Sequence, residues 1–474
     1  MRTALTRILL GLVVGILVTT SSFAADANRR TYNGAIEVPS FGELDMSLIV
    51  IDEDGGLSML LTVPLQGVAD LAMQTTVEDD LIVSTIPSPG GPTFRVRESD
   101  DRTRLIGEME QRGMSFSIEF ERADGATTFM RPQEPQAPFP YRQRELVVRH
   151  PAGHLLAGTM TLPKGRGPFP CAVLISGSGM QDRDESLMGH KPFLVLADYL
   201  TRRGIAVMRF DDRGVGASTV EHADSIRNAT SEDFATDVAA IVNAVRWQPE
   251  INDRLVGLIG HSEGGLIGPM VAAADDDIAF VVMLAGPGVP GSDILLLQQE
   301  LLFLAAGASQ EQVDHIVDAQ SELYTVMESA DESAIRHGLR KLIESQMAVS
   351  ASTATEQEME DQIDLAVRQF QSPWMTFFRT YDPAPTLGML DCPVLAMNGT
   401  LDLQVWHDQN LPVIEQVIND AGGDVTIVRL EGLNHLFQPA TTGAVGEYAT
   451  IETTIDESAL QEVGDWVNWQ VQYE

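Results

Sequence analysis

Two cysteines in 474 residues, Cys171 and Cys392, are too few for a disulfide-built scaffold. They leave one bridge or two buried thiols open, because cysteine is among the most buried residue types. Lysine is almost as scarce, with Lys164, Lys191 and Lys341 alone. Against 68 acidic residues stand 31 basic ones, a formal charge of −37. Phosphate binding depends on clustered Lys and Arg, which argues against a nucleic-acid partner and disfavours an anionic membrane surface. The sequence also lacks a G-x-G-x-x-G fingerprint after a strand, zinc-ligand spacing, a phosphate loop and a cofactor lysine. No cofactor or metal is therefore expected.

Long apolar runs are missing beyond the start of the chain. Arg2 and Arg7 precede the uncharged run Ile8 to Val18, and small residues at Ser22 and Ala24 fit a signal-peptidase site. Residues 1–24 are read as a cleaved signal peptide, because a membrane anchor needs roughly 20 apolar residues. The mature chain is thus expected in the periplasm or secreted, with no stable membrane anchor. No cysteine near the cleavage point invites lipid attachment.

What remains has 44% hydrophobic and 21% charged residues, the composition of a globular protein, and a length that suggests two domains. Residues 25–130 carry strand periodicity. Leu44, Met46, Leu48 and Val50 share one face; Leu57, Met59, Leu61 and Val63 do so after the turn at Asp54-Gly55-Gly56; Met114, Phe116, Ile118 and Phe120 repeat the pattern. This is an antiparallel β domain, a small barrel or a sandwich. Pro132, Pro135, Pro138 and Pro140 mark a stiff linker at 131–141.

From 142 to 474 the pattern changes. Apolar runs at 171–175, 205–210, 255–259, 280–284, 394–397 and 425–430 alternate with helical stretches, the mark of a parallel sheet covered on both faces. Thr230-Ser231-Glu232-Asp233 resembles a capping box that opens a helix with Phe234, Val238, Ile241, Val242 and Val245 on one stripe. A terminal helix carries Leu460, Val463, Trp466 and Val467 likewise. An insertion at about 291–385 is helical by pattern, with Val313, Ile316, Val317, Leu323 and Val326 on one face, and reads as a cap over the sheet.

Leu255-Val-Gly-Leu-Ile-Gly-His-Ser-Glu-Gly-Gly-Leu reads as strand, tight turn and helix. A serine hydroxyl is a weak nucleophile and must sit exposed on a strained turn within reach of a base. Gly260 and Gly264 flank Ser262 because side chains there would collide, and the Glu263 N–H would face a developing oxyanion. His261 occupies a turn position that typically points away from substrate. Asp402 lies just past the strand at 394–397 and His435 just past that at 425–430, beyond the carboxyl ends of parallel strands. Ser262, Asp402 and His435 thus stand in the order nucleophile, acid, base, with Asp293 as a rival acid. Leu174-Ile-Ser-Gly-Ser-Gly-Met-Gln has the place of a second oxyanion loop, with Ser178 N–H chosen over Gly179 and Met180. Asp182, Asp184 and Glu185 follow as a solvated acidic loop or as substrate contacts. Phe210-Asp-Asp-Arg-Gly-Val-Gly reads as structural, an aspartate pairing with Arg213 beneath the site.

Together these residues resemble the α/β-hydrolase superfamily. Ile175-Ser-Gly-Ser-Gly-Met-Gln-Asp-Arg-Asp-Glu-Ser, Arg209-Phe-Asp-Asp-Arg-Gly-Val-Gly and Leu258-Ile-Gly-His-Ser-Glu-Gly-Gly are similar to a bacterial serine esterase branch related to dienelactone hydrolases and serine aminopeptidases. The resemblance spans most of 141–474. It implies a triad at Ser262, Asp402 and His435, a helical cap, a preference for small carboxylic esters and often an N-terminal β domain. In the superfamily's strand order two strands separate those opened by Cys171 and Cys392, putting them roughly 14 Å apart. A disulfide spans about 7 Å between Cα atoms, so two free, buried thiols are predicted.

The sequence thus describes an exported serine hydrolase taking a small-molecule ester through an acyl-enzyme on Ser262. A peptidase or acyltransferase with the same triad, and a non-catalytic binding protein on this fold, are the alternatives. Phe370, Trp374, Phe377, Phe378 and Tyr381 in the cap suit an acyl pocket, or cap packing equally well. The acid excess suits salty media, where ions screen self-repulsion. The thermal midpoint is accordingly expected to climb between 0.05 and about 1 M NaCl, the range over which the screening length shrinks severalfold; a flat response overturns the habitat reading.

Overall fold

The computed structural model describes residues 28–472 apart from 39–41, 54–55, 64–67, 87–90, 112–113, 127–130, 221, 329–330 and 351–354. Residues 1–24, read above as a signal peptide, lie outside the described residues. The chain divides into two compact units. One runs up to Arg131 and includes Ser186–His190; the other holds Pro132–Glu185 and Lys191–Glu474.

The first unit is a closed, up-and-down barrel of eight antiparallel strands. These are β1 (Arg29–Val38), β2 (Gly42–Glu53), β3 (Gly56–Val63), β4 (Val68–Glu78), β5 (Leu81–Thr85), β6 (Thr93–Glu98), β7 (Arg104–Gln111) and β8 (Met114–Ala123). Closure comes from β1 pairing with β8, Thr31 opposite Ala123. The period-two pattern explains the filling. Leu48, Val50, Met59, Leu61, Phe94, Val96, Leu105, Ile118 and Phe120 all belong to its buried core. A barrel leaves no edge strand to aggregate, which resolves the choice between barrel and sandwich in favour of closure.

The second unit is an eight-stranded sheet of β9 (Arg142–Arg149), β10 (Leu155–Leu162), β11 (Phe169–Ile175), β12 (Ala206–Phe210), β13 (Ile251–His261), β14 (Val281–Leu284), β15 (Val394–Gly399) and β16 (Val425–Leu430). Its order is β16-β15-β14-β13-β11-β12-β10-β9. Strands β11 to β16 are parallel, and β9 and β10 form an antiparallel hairpin at one edge. The helices are α1 (Pro192–Arg202), α2 (Ala223–Arg227), α3 (Ser231–Arg246), α4 (Gly264–Ala272), α5 (Gly291–Ala305), α6 (Gln310–Met327), α7 (Glu332–Ser350), α8 (Glu356–Phe370), α9 (Pro373–Thr380), α10 (Ala384–Leu387), α11 (His407–Ala421) and α12 (Glu457–Gln472).

Alternate residues of each central strand enter two cores. Cys171, Val173 and Ile175 pack with Val238, Ile241 and Val245 of α3, Ile267 of α4 and Ile414 of α11. Ala172 and Leu174 pack with Leu196 and Leu200 of α1 and Leu460, Val463 and Val467 of α12. A continuous apolar run is what burial on both faces requires. Within α3 the carboxylate of Asp233 accepts the Thr230 N–H at 2.9 Å, one arm of the expected capping box. Helices α5 to α9 form the cap, with a core of its own from Val313, Ile316, Leu323, Leu339 and Leu342. The proline-rich segment is not a free spacer. Gln133 accepts the Thr454 N–H at 2.6 Å and donates to the Ile455 carbonyl at 2.7 Å, tying it to the rest of the second unit.

Strands β13 and β14 do separate β11 from β15, and Cys171 and Cys392 do not form a disulfide. Cys392 departs from expectation: it precedes β15 and is only half-buried. Burial pushes the Cys171 thiol up to about 12. Titration of the unfolded, unreduced protein with a disulfide reagent should find two thiols per chain, and in the native protein Cys392 should react first. A count of zero would mean a bridge.

Candidate active site

Ser262 begins from the backbone. It follows β13 directly and has φ +53°, a left-handed conformation that costs a non-glycine residue energy and turns its side chain out of the strand line. The neighbours enforce it. A Cβ on Gly260 would lie 1.9 Å from the Gly264 carbonyl oxygen, and one on Gly264 would lie 2.1 Å from that of Ile175. The Ser262 N–H donates to Leu284 O at 2.8 Å, locking the turn to the end of β14. Glu263 caps α4, and among the described residues its N–H meets no hydrogen-bond acceptor.

Asp402 and His435 sit in the loops after β15 and β16 and meet. His435 Nδ1 lies 2.8 Å from Asp402 Oδ2. Asp402 is fully buried, and its other oxygen accepts the N–H groups of Gln404 at 2.8 Å and Val405 at 3.0 Å. Such donors hold a carboxylate in one orientation. Asn434 fixes the His435 turn by accepting from Leu436 and Gln438 N–H at 3.0 and 2.9 Å. Among the described residues Ser262 Oγ makes no hydrogen bond to His435. Asp293, the rival acid, is exposed at the start of α5 and has no bond to His435.

The loop after β11 is arranged around Glu185. Gly177 N–H donates to Glu185 Oε1 at 2.8 Å, so Gly177 is committed, while Ser178, Gly179 and Met180 keep N–H groups without a partner among the described residues. Ser178 is exposed, and a Cβ on Gly177 would lie 3.2 Å from Ser262 Cβ. The acidic stretch is not solvated as expected. Asp184 pairs with the buried Arg209, and Glu185 is buried against His261. Nor does Arg213 pair within its own motif. Its Nε donates to Asp237 Oδ2 on α3 at 2.6 Å, while Asp211 is paired with Arg183 at 2.7 Å.

His261, expected to point away, is a bridge. Its Nδ1 lies 2.9 Å from Glu185 Oε1, its Nε2 lies 2.9 Å from the His435 carbonyl oxygen, and its ring is 4.8 Å from that of His435. Burial opposes its charge, but the Glu185 carboxylate and the His435 carbonyl outweigh that and raise it above the usual histidine range. Only the adjacency of His261 to Ser262 could have signalled this in sequence; Glu185 and Asn434 gave no sign.

The cap reaches the elbow through one residue. Trp374 Nε1 of α9 donates to Glu263 Oε1 at 2.8 Å, beside the Ser231 hydroxyl at 2.6 Å. The indole stacks on Phe378 with centroids 5.4 Å apart, and Phe378 packs against Gly291 at the start of α5. Phe377 stacks instead on Tyr381 at 5.0 Å, so Trp374 and Phe378 line up with each other and Phe377 does not join them.

One cluster has metal-ligand spacing among the described residues: His150, His154 and Asp237, all buried. His150 Nδ1 accepts the Ala152 N–H at 3.1 Å, which leaves its proton on Nε2, the atom facing Asp237. Arg213 already holds the other Asp237 oxygen. Asp237 is held from both sides, by His154 Nε2 at 2.7 Å and by Arg213 Nε at 2.6 Å.

Glu263, Asp212 and Asp237 line a cavity of about 20 Å³ beside the Gly177–Gly179 loop, room for a water. Burial pushes the half-buried Asp212 up to about 8, against hydrogen bonds from Gln181 N–H and Ser176. Glu263 is the more enclosed, and burial raises it above the usual glutamate range despite Ser231 and Trp374. The unfolded chain releases this proton at about pH 4.3, the folded chain only at higher pH, so stability is lost as pH rises through that interval. Glu263→Gln removes the titration. Its urea midpoint relative to the parent should therefore be more favourable at pH 9 than at pH 5, and an offset independent of pH overturns the assignment.

Comparison with known proteins fits this topology. A family model described as serine aminopeptidase, S33, matches residues 191–437, more than half of the chain. Esterase EstD of Thermotoga maritima is 25% identical over 313 residues, 66% of this chain; the alignment spans 65% of that esterase's length. Among solved structures, an esterase from Pyrococcus furiosus has a TM-score of 0.42 at 13% identity, covering 73% of this chain and 98% of that one. A dienelactone hydrolase from Anabaena variabilis has 0.39 at 14%, covering 70% and 99%. By the extent of the family match and the order of its sheet, this chain belongs to the S33 serine aminopeptidase family of α/β-hydrolases.

Proposed function

We propose that the protein is an exported carboxylesterase acting through Ser262, Asp402 and His435. The observation that carries this reading is the 2.8 Å Asp402–His435 bond at the same sheet end as a serine strained to φ +53°. Asp402 orients the imidazole so that Nε2 faces outward as a base. His435 takes the Ser262 proton as Oγ attacks the ester carbonyl. The resulting oxyanion is met by the N–H groups of Glu263 and Ser178, both without internal partners among the described residues. Collapse breaks the C–O bond, and His435 returns the proton to the departing alcohol. Water, deprotonated by His435, then attacks the acyl-enzyme, and the acid leaves as Ser262 regains its proton.

Similarity to an esterase supports ester over amide substrates. Trp374, Phe377 and Phe378 are proposed as the acyl-pocket region, with Trp374 the best supported through its bond to Glu263. Export rests on Arg2, Arg7 and the apolar run up to Val18. The family description favours a second reading, cleavage of N-terminal aminoacyl bonds by the same residues.

A fluorophosphonate probe should label the wild type and leave Ser262→Ala unlabelled. That variant should lose roughly 10³-fold or more in kcat on p-nitrophenyl esters, and Asp402→Asn about 10⁴-fold. Labelling that survives Ser262→Ala would sink the assignment. Aminoacyl arylamides turned over faster than esters would move it to the second reading.

A further inference from the structure

We propose that the buried His261–Glu185 ion pair is a positioning pair that sets the oxyanion loop and the catalytic-histidine loop in register with each other. This rests on the reading of Ser262, Asp402 and His435 given above. The geometry is a chain of three hydrogen bonds across the floor of the site. Gly177 N–H donates to Glu185 Oε1, the same oxygen faces His261 Nδ1, and His261 Nε2 faces the backbone carbonyl of His435. The first link ends one residue before the Ser178 amide, and the last ends on the base itself. The middle of the chain adjoins Ser262. Loops after β11, β13 and β16 are thereby joined by side chains that touch no reacting atom.

The protons follow from the partners. A carbonyl oxygen has none to give, so Nε2 must donate. Glu185 Oε1 already accepts one N–H, and a carboxylate accepting from both sides holds the second proton on Nδ1. Two acceptors thus favour the doubly protonated ring, and against burial the Glu185 carboxylate, the His435 carbonyl and the more distant Asp402 carboxylate raise its pKa. A neutral imidazole would keep one of its two bonds as a donor and lose the other. The charged form makes the bridge rigid at both ends. Glu185 itself is held at φ +52° and is 4% exposed, and its other oxygen has no hydrogen-bond partner. A buried, strained, half-satisfied carboxylate costs stability, and its return is the placement of two loops.

The test uses the full chain and a p-nitrophenyl ester. Glu185→Ala and His261→Ala should each lower kcat roughly 10- to 100-fold, the cost of a small misplacement of reacting groups, with KM within about threefold. Glu185→Gln, which keeps an acceptor for Gly177, should lose less than Glu185→Ala. The double variant should be no worse than the poorer single, since either change cuts the same bridge. Ser262 should still take the phosphonate label in each, which separates failure of this pair from failure of the triad reading. Variants of native circular dichroism with kcat within twofold of wild type, or losses that multiply, overturn the proposal. Should the variants not fold, the wild type decides. With ¹⁵N-histidine labelling at pH 8, one of the nine histidines should show two protonated ring nitrogens, and a spectrum with no such ring overturns it.

Discussion

Backbone crowding at the end of β13 is the constraint on which the rest of the site depends. The chain passes Gly260 and Gly264 at distances no side chain would permit, and Ser262 takes a left-handed conformation between them. That crowding is tolerable because β11 and β14 flank β13 and supply carbonyls at fixed height: Ile175 O lies against Gly264, and Leu284 O accepts the Ser262 N–H. The turn carrying Ser262 and the loops after β15 and β16 that carry Asp402 and His435 lie at the same end of the parallel strands.

Around this point sit carboxyls in three different states of use. Asp402 is buried, with two backbone N–H donors on one oxygen and His435 Nδ1 on the other, which fix its orientation. Glu185 shares one oxygen between two loops. Glu263 is raised by burial and takes hydrogen bonds from α3's Ser231 and the cap's Trp374, joining the elbow to the element above it. Their environments, more than their identities, separate the roles.

Much of this was legible in the sequence because the relevant signals are local. The strand runs, the turn glycines, the Thr230–Asp233 cap and the loop positions of Asp402 and His435 are properties of short windows, and the structure brings those last two together. Periodicity gave the antiparallel β domain, left open as barrel or sandwich, and the helical cap, while the wide separation of the cysteines came from the strand order that the family resemblance implies. What stayed hidden is pairing at long range. Arg213 passes over its adjacent aspartates to reach Asp237, and Glu185 finds His261 across 76 positions, because burial selects the nearest complementary charge in space. Phe377 turned toward Tyr381 for a similar reason, since helix spacing offers neighbours four apart as readily as a pocket. Cys392 lies just outside its strand, where a boundary shift of two residues decides exposure.

The order of the sheet has a further meaning for how the protein comes into being. Ser262 is on an interior strand, while His435 hangs from β16, the outermost one, and Asp402 from β15 beside it. Between nucleophile and base the whole cap must be threaded out of the sheet and the chain returned to it. On the reading proposed above, a growing chain therefore has its serine turn before it has the residues that would activate it. On that reading, the capacity for chemistry and the completeness of the sheet would therefore arrive together, because the proposed base hangs from an edge strand.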